Sequence, residues 1–220
     1  RASSTDSSDR PSSASLAKKA VHFQRTFAVK TILTSRIQKD QMEELVNEIT
    51  IMRKLDHPYV LKLYEVYHVK RKLWLVTELL TGGDLSSRKH SEHATKNVIE
   101  QILRALVYLH RMGVVHRDIK LENILYENHS KNATVRLIDF GLCSNKIYQR
   151  GGATIRYASP EWLEQSRSYN GEKHDSFSLG VTLLYLNGKL GSPDKLIKLT
   201  DSLGQTHHVA KSISAESGYT

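Results

Sequence analysis

The 220-residue chain contains a single cysteine, Cys143, so no internal disulfide can form and a reducing compartment is expected. No uninterrupted apolar run approaches the roughly 20 residues of a membrane-spanning helix. The first residue is Arg rather than Met and no signal-peptide pattern follows, so the chain reads as a fragment or an incomplete gene product; a cytoplasmic location is expected alongside the reducing compartment. No EF-hand loop is present, and no internal repeat. His90 with His93, and His207 with His208, lack companion ligands at metal spacing, which leaves surface histidine as the expectation. The net charge is +9, but the cations are dispersed and no aromatics alternate with them. A nucleic-acid stacking platform is therefore not expected, and a solvated basic surface is.

Against these absences stands His116-Arg117-Asp118-Ile119-Lys120-Leu121-Glu122-Asn123, followed by Asp139-Phe140-Gly141. Each segment comes after a short apolar run, Val114-Val115 and Val135-Arg136-Leu137-Ile138. Phosphoryl transfer needs a carboxylate to orient the attacking hydroxyl and a cation on the transferring phosphate. It also needs an amide and a second carboxylate to hold magnesium. Asp118, Lys120, Asn123 and Asp139 have those types in that order.

The periodicities around these segments alternate between strand and helix. Residues 1–15 are Ser-rich and nearly devoid of large apolar groups, too little to offset the entropy of ordering. Residues 26–32 alternate and are β-branched, a strand carrying Lys30. Leu45, Ile49 and Met52 give 40–55 one helical face, ended by Asp56-His57-Pro58 because the residue before proline avoids the α region. Residues 60–67 and 72–79 read as strands joined by Lys70-Arg71, with Tyr59, Tyr64 and Tyr67 packing on the sheet. Thr81-Gly82-Gly83-Asp84 reads as a turn, and 95–112 as a long helix stopped by Gly113. Two short strands flank the loop with Asn128, His129 and Asn132. Residues 142–173 read as loop, 175–186 as a buried helix, and 193–203 as a weak helix. Cys143 reads as a small packed side chain.

These motifs resemble the eukaryotic protein kinases over about residues 20–186, and Lys120 two places after Asp118 resembles the Ser/Thr branch. Phe27-Ala28-Val29-Lys30, Thr77-Glu78-Leu79-Leu80 and Gly113-Val114-Val115-His116 look like the calcium- and calmodulin-dependent kinase group. The resemblance implies an α+β, two-lobed protein kinase-like fold. A small β-rich N-lobe with one helix would span 20–80, a truncated helical C-lobe 81–190, with segments 1–19 and 191–220 poorly structured. It implies protein substrates, ATP and Mg2+, and a calcium-sensor module outside this chain. Asp118, Lys120 and Asn123 would be catalytic. Lys30, held by Glu48, would grip the phosphates. The backbone of Glu78 and Leu80 would bind adenine beside the gatekeeper Thr77, and Asp84 would face the ribose. Ala28, Leu85 and Leu125 would sandwich the base, while Asn123 and Asp139 would hold the metal. Met52, Leu63, His116 and Phe140 would stack into a column between the lobes, with Asp175 tying its base to the catalytic loop. Thr154 would contact the catalytic Asp and Lys.

The pattern also breaks. No G-x-G-x-x-G precedes Lys30, and Ser12, Ala14 and Ala17 stand at that spacing instead. The stretch from Asp84 to Ser91 is several residues short, and Ser159 replaces Ala in Ala158-Ser159-Pro160-Glu161. Glu161 would lack its usual arginine partner. Arg150 would face Arg117, where the family places a phosphate or an acid. The alternative reading is therefore a catalytically impaired kinase-like fragment acting as a nucleotide-binding or scaffold module.

Overall fold

In the computed structural model, residues 25–147, 152–163 and 169–188 are described. The Ser12–Ala17 stretch, Tyr148, Arg150, the 193–203 helix and His207-His208 lie outside them. Among the described residues, the first lobe is a three-stranded antiparallel sheet in the order β1-β3-β2, with one α-helix. β1 is Phe27–Leu33, α1 Lys39–Met52, β2 Leu63–Val69 and β3 Lys72–Glu78. The central strand β3 pairs Lys30 with Leu75 on one side and Val66 with Leu75 on the other.

β2 begins three residues later than the alternation suggests. Val60 bridges Leu137 in parallel, and the Leu61 amide donates to the Leu137 carbonyl at 2.9 Å. The start of that apolar run is thus taken up by the second lobe. Tyr64 and Tyr67 are exposed, contrary to the packing expected of them. Tyr64 sets its ring edge-on to Phe27 at 5.1 Å.

The second lobe contains α2 (Glu92–Arg111), the hairpin β4 (Ile124–Tyr126) with β5 (Val135–Leu137), α3 (Pro160–Leu163) and α4 (Gly171–Leu186). α2 starts three residues before the apolar face does, because the Ser91 hydroxyl caps it by accepting from the Ala94 amide. It buries Val98, Ile102, Ala105, Leu106 and Leu109 on one stripe. Gly113, at φ 70°, closes its far end, with the Val114 amide returning to Leu109 O at 2.9 Å. The 142–173 loop is not devoid of regular structure. It contains a 3-10 turn at Ile155–Tyr157, the short α3 and the first turn of α4, which Asn170 caps through the Glu172 and Lys173 amides.

One apolar cluster runs through both lobes, from Met52, Leu63 and Leu75 to Phe140, Ile102 and Leu179. The lobes are therefore joined by core as well as by chain. Among the described residues no helix is long and apolar enough to cross a membrane.

Candidate active site

The centre of the site is a short loop between α2 and β4, held from beneath. Asp175 on α4 is fully buried. Its carboxylate accepts from the His116 amide at 2.9 Å, the Arg117 amide at 2.7 Å and His110 Nε2 at 2.9 Å. Arg117 has φ 69°, a left-handed conformation that costs a bulky residue energy and survives only when its surroundings dictate it. His116 is buried, donates from Nε2 to the Ile138 carbonyl at 3.1 Å and accepts at Nδ1 from the Asp118 amide at 3.3 Å. Both ring nitrogens are thus assigned to a neutral imidazole. Burial agrees, pushing its pKa down against the attraction of Asp175 and Asp118. The His116 ring meets Phe140 edge-on at 5.1 Å, and Met52, Leu63 and Phe140 share the buried cluster.

On this base Asp118, Lys120, Asn123 and Thr154 converge. Lys120 Nζ lies 2.5 Å from Asp118 Oδ2 and donates to Thr154 Oγ1 at 3.1 Å. The Thr154 hydroxyl donates to Asp118 Oδ1 at 2.5 Å. Asn123 Nδ2 donates to Asp118 O at 2.9 Å and Oδ2 at 2.8 Å. Burial alone would raise the Asp118 pKa, but the bonds from Lys120 and Thr154 outweigh it and hold the carboxyl below its usual range. Asp118 is therefore a carboxylate at neutral pH, held in one orientation.

Asp139 lies across the cleft, exposed, at φ 63°. Its Oδ1 accepts from the Gly141 amide at 3.3 Å. A Cβ added to Gly141 would lie 3.3 Å from Asp139 Oδ1 and 4.0 Å from Glu48 Oε2, so both carboxylates border one small space. Lys30 Nζ approaches Glu48 Oε1 at 3.9 Å; Glu48 is buried on α1 while Lys30 is largely exposed. Burial raises the Glu48 pKa, the Lys30 charge opposes this, and the Asp139 charge adds to it.

The donor set fits magnesium. Among the described residues no three His, Cys, Asp or Glu cluster as a metal site. Asn123 commits its amide nitrogen to Asp118, which leaves its oxygen to face a cation. One carboxylate and one amide oxygen are hard donors, too few for a closed protein cage but suited to an ion that arrives on phosphates.

At the junction between the lobes, the Glu78 carboxylate accepts from the Lys62 amide at 2.8 Å and pairs with Arg136 Nε at 3.2 Å. The Thr77 hydroxyl donates to Glu78 O at 3.2 Å. Ala28 pairs with Thr77 across the sheet, and Leu80 and Leu125 are half-buried. Leu125 faces away from buried Ile124 and Tyr126, as strand alternation requires. Leu85 is buried within the core cluster. Asp84 Oδ1 caps its own turn, accepting from the Ser86 amide at 2.8 Å and the Ser87 amide at 3.1 Å.

Several expectations change. Glu161 is exposed, so it bears no penalty for a missing buried partner. Arg117 Nη2 donates to the Lys146 carbonyl at 2.8 Å, and Arg150, expected to face it, lies outside the described residues. His90 is not a plain surface residue, since its Nε2 lies 2.7 Å from the Tyr126 hydroxyl. Two contributors went unnoticed in the sequence. His174, buried on α4, accepts at Nδ1 from the Ser159 amide at 3.3 Å and bonds the Ser159 hydroxyl at 3.0 Å, so the Ser in Ala158-Ser159-Pro160-Glu161 has a partner. Arg88 follows the junction and engages three main-chain carbonyls. The change of Ala to Ser beside a His in the Asp175 segment was the available signal for the first.

The protein kinase domain family model matches residues 12–213. The chain belongs to that family. The match extends past both ends of the 20–186 stretch on which the motifs lie. Calcium-dependent protein kinase 5 of Plasmodium berghei is 40% identical over 168 residues, 72% of this chain and 29% of that protein. NUAK family SNF1-like kinase 1 of Homo sapiens is 38% identical over 172 residues, 74% of this chain and 25% of that protein. Calcium/calmodulin-dependent protein kinase type 1 of Caenorhabditis briggsae is 37% identical over 174 residues, 76% and 48% respectively. The match thus covers between a quarter and a half of each relative's length.

Proposed function

We propose that this kinase domain transfers the γ-phosphate of ATP to Ser or Thr side chains of protein substrates. The observation that carries the reading is the bond network around Asp118. A buried, ionised carboxylate is held by Lys120, Asn123 and Thr154. Asp118 orients the incoming hydroxyl and takes its proton, while Lys120 neutralises the transferring phosphate. Lys30, steadied by Glu48, positions the nucleotide phosphates. Asn123 and Asp139 would hold magnesium, which when bound neutralises charge on the β- and γ-phosphates. The main chain of Glu78 and Leu80 would take adenine over Leu125, with Asp84 near the ribose.

The impaired-fragment alternative is not favoured, since the family match and the related kinases accompany a complete base–lysine–amide set. Two of the relatives carry calcium in their names. A calcium-sensor module acting on this domain from outside the chain, and a cytoplasmic location, belong to the same reading. Radiolabelled phosphate transfer to a Ser/Thr peptide library tests it. Asp118→Asn is expected to lower kcat at least 100-fold, about the lower bound for a lost general base, with nucleotide affinity retained. Equal rates in wild type and Asp118→Asn would refute the assignment.

A further inference from the structure

The segment after the lobe junction is short, yet its main chain is fastened to β4. The Thr81 amide donates to Glu127 O at 3.1 Å, the Gly82 amide to Tyr126 O at 3.1 Å, and the Tyr126 amide to Gly83 O at 2.8 Å. Asp84 then bridges Leu125. Gly82 fits so closely that an added Cβ would lie 2.2 Å from Asn128 O and 2.5 Å from Tyr126 Cβ.

Arg88 closes this zipper. Its Nη2 donates to Gly82 O at 3.1 Å and Asn128 O at 2.5 Å, and its Nη1 to Ser130 O at 2.9 Å. Its guanidinium lies over the Tyr126 ring, 3.9 Å from the centroid. Only a planar fork with several donors can serve carbonyls from two chain segments and stack on an aromatic face at once. Tyr126 is adjacent to Leu125, whose side chain lies on the opposite face of β4.

We infer that Arg88 is a positioning residue for the nucleotide. It fixes the spacing between the junction main chain and Leu125, the two surfaces that would hold the base. This rests on the kinase reading above for the ligand, and on geometry alone for the clamp. Without the guanidinium the Gly82 carbonyl loses a charge-assisted bond in a buried setting, and the junction separates from β4. Lysine has one ammonium in place of the fork, so it cannot restore the arrangement.

The test uses the full chain with Arg88→Met, Arg88→Lys and, as a surface control, Arg104→Met. Hydrogen exchange is read at the amides of Thr81, Gly82 and Tyr126, and affinity with a fluorescent ATP analogue. KM for ATP and kcat are read separately. Both Arg88 variants should exchange faster at those three amides and not at Asn123. They should bind nucleotide roughly five- to thirtyfold more weakly, the worth of one to two kcal/mol at equilibrium, with kcat at saturating ATP within about twofold. Unchanged exchange overturns the clamp. Faster exchange with unchanged affinity overturns the positioning role, as does rescue of affinity by Lys. A merely structural residue would lower the melting temperature and active fraction while leaving KM for ATP alone. If wild type binds no nucleotide, the kinase reading fails and takes the nucleotide role with it, while the exchange data still decide the clamp.

Discussion

Removing the Asp175 carboxylate should loosen the catalytic loop from below. Asp175 is 0% exposed and accepts two main-chain amides and one imidazole nitrogen. In Asp175→Ala the His116 and Arg117 amides remain buried without acceptors, at about 1–3 kcal/mol each. A combined loss of about 4 kcal/mol is large against the roughly 5–15 kcal/mol that holds a domain together. At about 3 °C per kcal/mol for a chain of this size, the melting temperature should fall by about 12 °C. Asp175→Asn keeps one acceptor oxygen but turns an NH2 group toward the second amide, so about half that loss is expected. The rate should fall as well as the stability. Arg117 keeps φ 69° only while its amide is held, and Asp118 is the next residue. A displacement of about 1 Å at a reacting group can cost about 100-fold. Asp175→Asn, still folded at 20 °C, should therefore lose at least tenfold in kcat, read by steady-state phosphate transfer beside thermal melts. An Asp175→Ala protein melting within about 2 °C of wild type would refute the reasoning, because two stranded buried donors cannot be that cheap.

Other outcomes follow from single contacts. Thr154→Val removes the hydroxyl between Asp118 and Lys120, and kcat should fall about tenfold or more while Thr154→Ser stays near wild type; equal rates for Val and Ser would count against it. Glu48 has a raised pKa because it is buried, so lowering pH through that value protonates it and leaves Lys30 without a counter-charge. The wild-type rate should then fall on the acid side, and Glu48→Gln should start lower and lack that limb in a pH–rate profile. By linkage the same raised pKa contributes stability that is present below the unfolded value and lost as pH rises through the folded one, so Glu48→Gln should weaken the fall in melting temperature across that window. Gly82→Ala should destabilise by about 1–3 kcal/mol in a denaturant titration, since the new methyl meets the Asn128 carbonyl rather than a side chain that can turn aside.

The residues that converge at the site were legible because their chemistry is local in sequence. Asp118, Lys120 and Asn123 sit within six residues of one another, and the structure brings Thr154 to them across 36 positions. The Lys30–Glu48 pairing came from the kinase resemblance rather than from periodicity, since Glu48 is not among the apolar positions that mark the face of α1. Element boundaries were less so, for two reasons. Caps can precede the apolar pattern, as at Ser91 and Asn170. Apolar residues can also be claimed by another lobe, as Val60 and Leu61 are by Leu137. Arg88 was invisible because nothing in its neighbours says that three carbonyls from residues 82, 128 and 130 will face it.

The burial of Cys143 makes the molecule its own reporter. The thiol is 5% exposed, lies against the His116 carbonyl at 3.5 Å, and is pushed well above its ordinary pKa by burial. Neighbouring Ser144 exchanges both main-chain bonds with Val115, so the segment after Phe140 is strapped to the residues entering the catalytic loop. A thiol reagent can reach the sulfur only when that strap opens and the thiol ionises. With one cysteine in the sequence, the alkylation rate of the unmodified protein becomes a clock for opening at this seam. It requires no introduced label, and any ligand that closes the cleft should slow it.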